Sequence, residues 1–187
     1  MHYNKLYTLK LKGVMDMIKN RLIESFKEIG FDEYNEIKTE DIIFSQDVFN
    51  ECAKNTCGNY GKNYSCMGHS VDESKSRIEK YENAFLISKI VSIRTGEEMM
   101  DSLALIEKSN KALRDAFDNE HVFVMGAGPC TKCKACSALE GEPCRFPDKI
   151  QYSMEGSGID VVRMSINEKM TYNAGGGRIG YFTLVLY

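Results

Sequence analysis

Seven cysteines of the 187-residue chain fall in two tight groups. The first is Cys52-x4-Cys57-x8-Cys66; the second is Cys130-x2-Cys133-x2-Cys136-x7-Cys144, followed by Arg145-Phe146-Pro147. Cysteines that serve as small core hydrophobes are scattered among apolar neighbours. These sit among Gly, Lys, Asn, Thr and Pro, a setting that metal coordination explains and core packing does not. Thiolates serve both iron–sulfur clusters and zinc. Structural zinc more often takes two Cys-x2-Cys pairs separated by a longer spacer. A thiolate at every third residue can instead wrap the corner of a cubane, each sulfur reaching a different iron. The spacing therefore points to 4Fe-4S clusters, one or two, with zinc as the alternative.

Seven is four plus three. Cys130, Cys133, Cys136 and Cys144 can complete a four-thiolate site alone. Cys52, Cys57 and Cys66 then leave one position for water, a substrate or a non-cysteine ligand, and an open position is what Lewis-acid chemistry needs. His69, three residues past Cys66, is the nearest candidate for it. A single cluster with the other thiols structural or on zinc also satisfies the sequence, as do centres that mix the two groups. Lys132, Lys134 and Arg145 place positive charge beside an anionic cluster. Gly58, Gly61, Gly126 and Gly128 let backbone N–H groups approach sulfur, and both effects tune reduction potential. The same lysines also read as a solvated loop.

The Cys-x2-Cys-x2-Cys run resembles the three-cysteine stretch of bacterial ferredoxins, where a later cysteine is followed by proline. A wider resemblance runs from Cys52 to the C-terminus. It rests on the Cys52–Cys57–Cys66 block with Tyr60-Gly61-Lys62-Asn63-Tyr64-Ser65, on Gly128-Pro129-Cys130-Thr131-Lys132-Cys133, on Gly141-Glu142-Pro143-Cys144-Arg145-Phe146-Pro147, and on Ser153-Met154-Glu155 with Gly158-Ile159-Asp160-Val161. In these the chain resembles an uncharacterised family of predicted metal-binding, cysteine-rich proteins of anaerobic bacteria and archaea. The resemblance implies a metal site and an anaerobic context, and no particular reaction. Met67-Gly68 stands where members of that family commonly carry Pro-Pro.

The cysteine regions, 47–69 and 126–147, must be held by regular elements. Lys5–Leu11 alternates loosely and reads as a strand. Gly13 then introduces a helix over Val14–Ile29, whose Met15, Ile18, Leu22, Phe26 and Ile29 share one face, with Gly30 as its stop. Short strands are expected within Phe31–Ile37 and Ile42–Phe44, mostly loop over Asp47–Gly68, and a polar helix over Val71–Glu82. A buried strand follows at Ala84–Ile93. Glu97–Asn119 is the clearest helix, with a stripe of Met99, Leu103, Ile106, Leu113 and Phe117 that Asn110 interrupts. Glu97-Glu98 suits the positive end of its dipole without catalysis. His121–Met125 reads as a strand, Pro147 as the start of a short helix through Glu155, and Ile159–Ile166 and Tyr181–Tyr187 as strands. Gly175-Gly176-Gly177 is a turn; no Gly-Lys-Ser/Thr follows it, so it is not a phosphate loop. Together these predict one domain over 1–187, α/β or α+β: a mixed β-sheet with flanking helices, and cysteine-rich loops forming a metal-cluster lobe.

Hydrophobic residues make up 43 % of the chain and charged residues 27 %, which suits a packed core. A net charge of −3 gives no reason to expect a nucleic-acid partner. The start, Met1-His2-Tyr3-Asn4-Lys5, carries no apolar signal region, and the apolar runs are too short for a bilayer. The expectation is a cytoplasmic protein whose cysteines stay reduced or bind metal. Three functions compete: an electron-transfer module with a redox partner protein, an enzyme holding a small-molecule substrate at an open iron, and a zinc-stabilised protein-interaction domain.

Overall fold

The computed structural model describes residues 2–67 and 69–187, with side chains from Gly13 onward. Gly68, and with it the full Met67-Gly68 loop shape, lies outside the described residues, as does Met1. In chain order the elements are α1 (His2–Ile29), β1 (Glu33–Lys38), α2 (Gln46–Ala53), α3 (Val71–Ile78), β2 (Asn83–Ser92), α4 (Gly96–Ala116), β3 (Phe123–Met125), α5 (Val161–Asn167), β4 (Asn173–Gly175) and β5 (Arg178–Leu186). The strands form one sheet of order β1-β2-β5-β3, with β4 also pairing β5. All these pairings are antiparallel, so of the two expected classes the fold is α+β. No helix among the described residues is long and apolar enough to cross a membrane.

The sheet is apolar on both faces, and the alternation of its side chains sorts them. Ala84, Leu86, Leu184, Leu186 and Met125 face one core, which Met154, Ile159, Val161 and Met164 complete. Phe85, Ile87, Val124 and Val185 face the other, which Leu22 and Phe26 of α1 and Leu113 of α4 complete. The stripe predicted for α4 thus holds from Ile106 onward, while Met99 is exposed. Asn110 interrupts it for a reason: it is buried, and its Oδ1 accepts a bond of 2.7 Å from the Thr183 hydroxyl. Gly126 is required beside it, since a Cβ there would lie 2.6 Å from the Asn110 amide.

Four expectations are corrected. Lys5–Leu11 is helical, not a strand, and Gly13 lies inside α1. Nothing in that segment breaks a helix, and its repeated Lys and Leu favour one. Asp47–Gly68 is not mostly loop at its start: Ser45 accepts from the Val48 N–H and opens α2, which carries Cys52. Ile159–Ile166 is not a strand. The Asp160 carboxylate accepts the Arg163 N–H at 3.0 Å and starts α5, which buries Val161, Met164 and Ser165 at helical spacing. Pro147 opens only a 3-10 turn, Pro147–Lys149. The chain then leaves helical geometry because Met154 N–H is drawn onto the Gly126 carbonyl at 2.9 Å, and a separate 3-10 turn forms at Glu155–Ser157.

Candidate metal centre

The cysteines line two different cavities. Cys52, from the last turn of α2, meets Cys57 and Cys66 of the following loop around a cavity of about 440 Å³. Cys130, Cys133, Cys136 and Cys144 together line a second cavity of about 300 Å³. Cys57 is exposed, Cys66 buried, and the other five lie between. Among the described residues, no three His, Cys, Asp or Glu side chains gather closely enough to hold a single metal ion. A further cavity of about 430 Å³ beside α4 holds no cysteine. Its Lys111, Arg114 and Lys149 are ion-paired with Asp115, Glu107 and Asp118.

Two hydrogen bonds tie the two cysteine loops together, one at Ser65 and one at Tyr64. Ser65, fully buried, accepts the Cys130 N–H at 2.9 Å and donates to the Asn63 side chain at 2.5 Å. The same hydroxyl is 3.5 Å from Cys66 Sγ, so one side chain touches both groups. The Tyr64 hydroxyl donates to the Glu142 carbonyl at 2.6 Å.

The environments of the two cavities differ. Lys62, Lys132 and Lys134 line the four-cysteine cavity and are exposed to solvent. Lys132 Nζ lies 5.7 Å from the centroid of the Phe146 ring, and Arg145 donates to the Ala135 carbonyl at 3.1 Å. The three-cysteine cavity is lined by Tyr172, Tyr181, Phe182 and Val162, and by Glu155. Burial pushes the Cys52 thiol up, and the nearby Cys66, Cys57 and Glu155 add to that in turn. Burial likewise pushes up the Tyr181 hydroxyl, followed by the charge of Glu155.

His69, the expected fourth ligand, lines neither cysteine cavity. Its Nδ1 sits 3.0 Å from the Met67 carbonyl and its Nε2 3.2 Å from the Gly156 carbonyl, so whichever nitrogen carries the proton has a backbone acceptor. The ring packs edge-on against Phe49 and Tyr152. It is a brace for the 156 backbone. Two acidic residues do line the cavity, Glu155 and Asp160. Asp160 is engaged in capping α5, and Glu155, 89 positions past Cys66, had as its one sequence signal the Ser153-Met154-Glu155 segment.

The donor set fits metal binding chemically. Cysteine sulfurs line each cavity, and as thiolates they are soft donors suited to iron–sulfur clusters and to zinc. An α+β scaffold with thiol-lined cavities of this kind defines a metal-binding protein. Residues 35–187 match the family described as predicted metal-binding protein (DUF2284), and the chain belongs to that family. No curated protein and no solved structure matches it.

Proposed function

We propose that the chain is an iron–sulfur protein of anaerobic metabolism with two unlike centres. Cys130, Cys133, Cys136 and Cys144 hold a 4Fe-4S cluster for electron exchange. Cys52, Cys57 and Cys66 hold a second centre whose remaining position takes a small-molecule substrate. The observation that carries this reading is the division of seven thiols between two cavities, four and three. When bound, the clusters supply electrons at the first centre and a Lewis-acidic iron at the second.

The chain's own residues serve these roles differently. Lys62, Lys132 and Lys134 offset thiolate charge and offer a basic face to an acidic redox partner. Tyr172, Phe182 and Val162 give the other cavity an apolar wall, and its size, about 440 Å³, is in the range of small-molecule sites. Ser65 keeps the two loops in register, so the electron-exchanging group stays beside the substrate-holding one.

Anaerobic purification with iron, sulfide and zinc analysis tests the metal. Iron with matching sulfide is expected. A colourless protein with zinc and no iron would make the loops a zinc-stabilised interaction domain instead. Replacing Cys133→Ser should remove one cluster's worth of iron and leave the remainder; unchanged iron content would sink the four-cysteine assignment. In Mössbauer spectra, four equivalent thiolate-bound irons in every cluster would rule out the open centre.

A further inference from the structure

The cavity lined by the three cysteines is also lined by the glutamate Glu155. We propose that Glu155 is the fourth, non-cysteine ligand of the Cys52–Cys57–Cys66 centre, an oxygen donor that yields its place to substrate. This rests on the reading of that centre as a three-thiolate cluster.

Placement is the first argument. Glu155 lines the same cavity as the three cysteines. It opens the 3-10 turn Glu155–Ser157, which packs against α2, the helix that carries Cys52. The approach is close: a Cβ built on Gly156 would lie 3.7 Å from Cys52 Sγ and 2.6 Å from the Ser153 hydroxyl. The turn carrying Glu155 thus lies within van der Waals reach of the Cys52 sulfur, and glycine at 156 spares a clash with the Ser153 hydroxyl.

The turn is also fixed. Met154, fully buried, anchors it in the core, and Met154 N–H is bonded to the Gly126 carbonyl at 2.9 Å. Gly156 N–H donates to Ser153 Oγ at 3.0 Å, the Gly156 carbonyl meets His69 Nε2 at 3.2 Å, and Ser45 N–H donates to the Gly158 carbonyl at 2.7 Å. Apart from the local Ser153 bond, these come from three distant segments, at Ser45, His69 and Gly126, and they fix the backbone that carries Glu155 beside α2.

The carboxylate lacks a protein counter-charge. Among the described residues, no lysine or arginine lines the cavity that holds it. A half-buried carboxylate with no cation beside it is costly, and a bound cation would relieve that cost. Asp160 and the three thiols share the cavity and in ionised form would only add negative charge. A metal centre held by those thiols is the partner that satisfies both. Oxygen is a harder donor than sulfur, so it binds iron less firmly than a fourth thiolate would, and a substrate oxygen can replace it.

The test compares wild type with Glu155→Gln and Glu155→Cys, all loaded anaerobically with Mössbauer-active iron. In the wild type, one iron of the three-cysteine centre should be spectroscopically distinct from the other three. Glu155→Gln should lose that iron to a chelator at least about tenfold faster, and the product, once oxidised by one electron with added ferricyanide, should show the EPR signal of a three-iron cluster. Glu155→Cys should make all four irons alike. A Gln variant with the wild-type spectrum and loss rate overturns the proposal. A measurement without any variant guards against misfolding: wild type labelled with carbon-13 at glutamate carboxyls should show carbon-13 hyperfine coupling on the reduced centre, and its absence also overturns the proposal. Failure of the underlying reading looks different, because the wild type would then hold no iron at Cys52, Cys57 and Cys66.

Discussion

Ser65 shows how much one small side chain can decide. Its hydroxyl is fully buried and used as acceptor by the Cys130 N–H and as donor to Asn63. Ser65→Ala would strip the acceptor from a backbone donor and a partner from the Asn63 amide. Leaving such groups unmet costs about 1–3 kcal/mol, which denaturant unfolding should register. Because Ser65 touches both cysteine loops, iron should also leave both centres faster than in the parent. Loss confined to one centre would mean the loops are held independently of Ser65. Asn110 follows the same logic: a buried polar group is retained where a neighbour, here Thr183, meets it.

The link from β2 to α4 concentrates its interactions on Glu98. Thr95 caps α4 by accepting the Glu98 N–H at 3.1 Å. The Glu98 carboxylate in turn accepts from Arg94 and from the Ser92 hydroxyl at the end of β2. Hydrogen bonds from Arg94 first, then Ser92, hold this carboxyl down to about 2. The sign follows from linkage. A group whose folded value is depressed stabilises fully above its ordinary value, and the contribution disappears as pH falls through the folded value. The melting temperature of the parent should therefore exceed that of Glu98→Gln at neutral pH. The gap should close as pH drops from about 4.5 towards 2. A gap independent of pH would assign the effect to capping geometry rather than to charge. The position is accessible to solvent, so salt should reduce the gap as well.

The molecule as a whole divides its stability and its chemistry between the two faces of the sheet. Leu22, Phe26 and Leu113 fill the face under α1 and α4. Met125, Met154, Ile159 and Leu184 fill the face from which the cysteine loops spring. Phe26→Ala should cost about 3–5 kcal/mol but leave the iron content of the folded fraction unchanged. Met154→Ala, at about 2–5 kcal/mol, should lower both, since Met154 anchors the turn that presents Glu155. Equal iron content in the two variants would show that the turn is held by its hydrogen bonds alone.

Much of this was legible in the residues. The seven cysteines and their grouping need no coordinates, because clustering of thiols among polar residues has few other causes. The long strand β2, the helix α4 and the stop at Gly30 follow from periodicity and turn chemistry, which act over a few residues. Local pattern failed where a distant partner set the geometry. Val161-Val162 reads as a strand until Asp160 caps it and Met164 finds the core as part of a helix. His69 looked like a ligand because three residues separate it from Cys66, yet carbonyls from two segments occupy its ring. Glu155 looked unremarkable because its closeness to Cys52 comes through space, by way of Ser45, Gly126 and Gly156. Composition and spacing are properties of neighbours along the chain, and they are enough to place the chain in a predicted metal-binding family. The fourth position of a site belongs to whichever residue the packing delivers, and packing is decided by contacts that cross the whole chain.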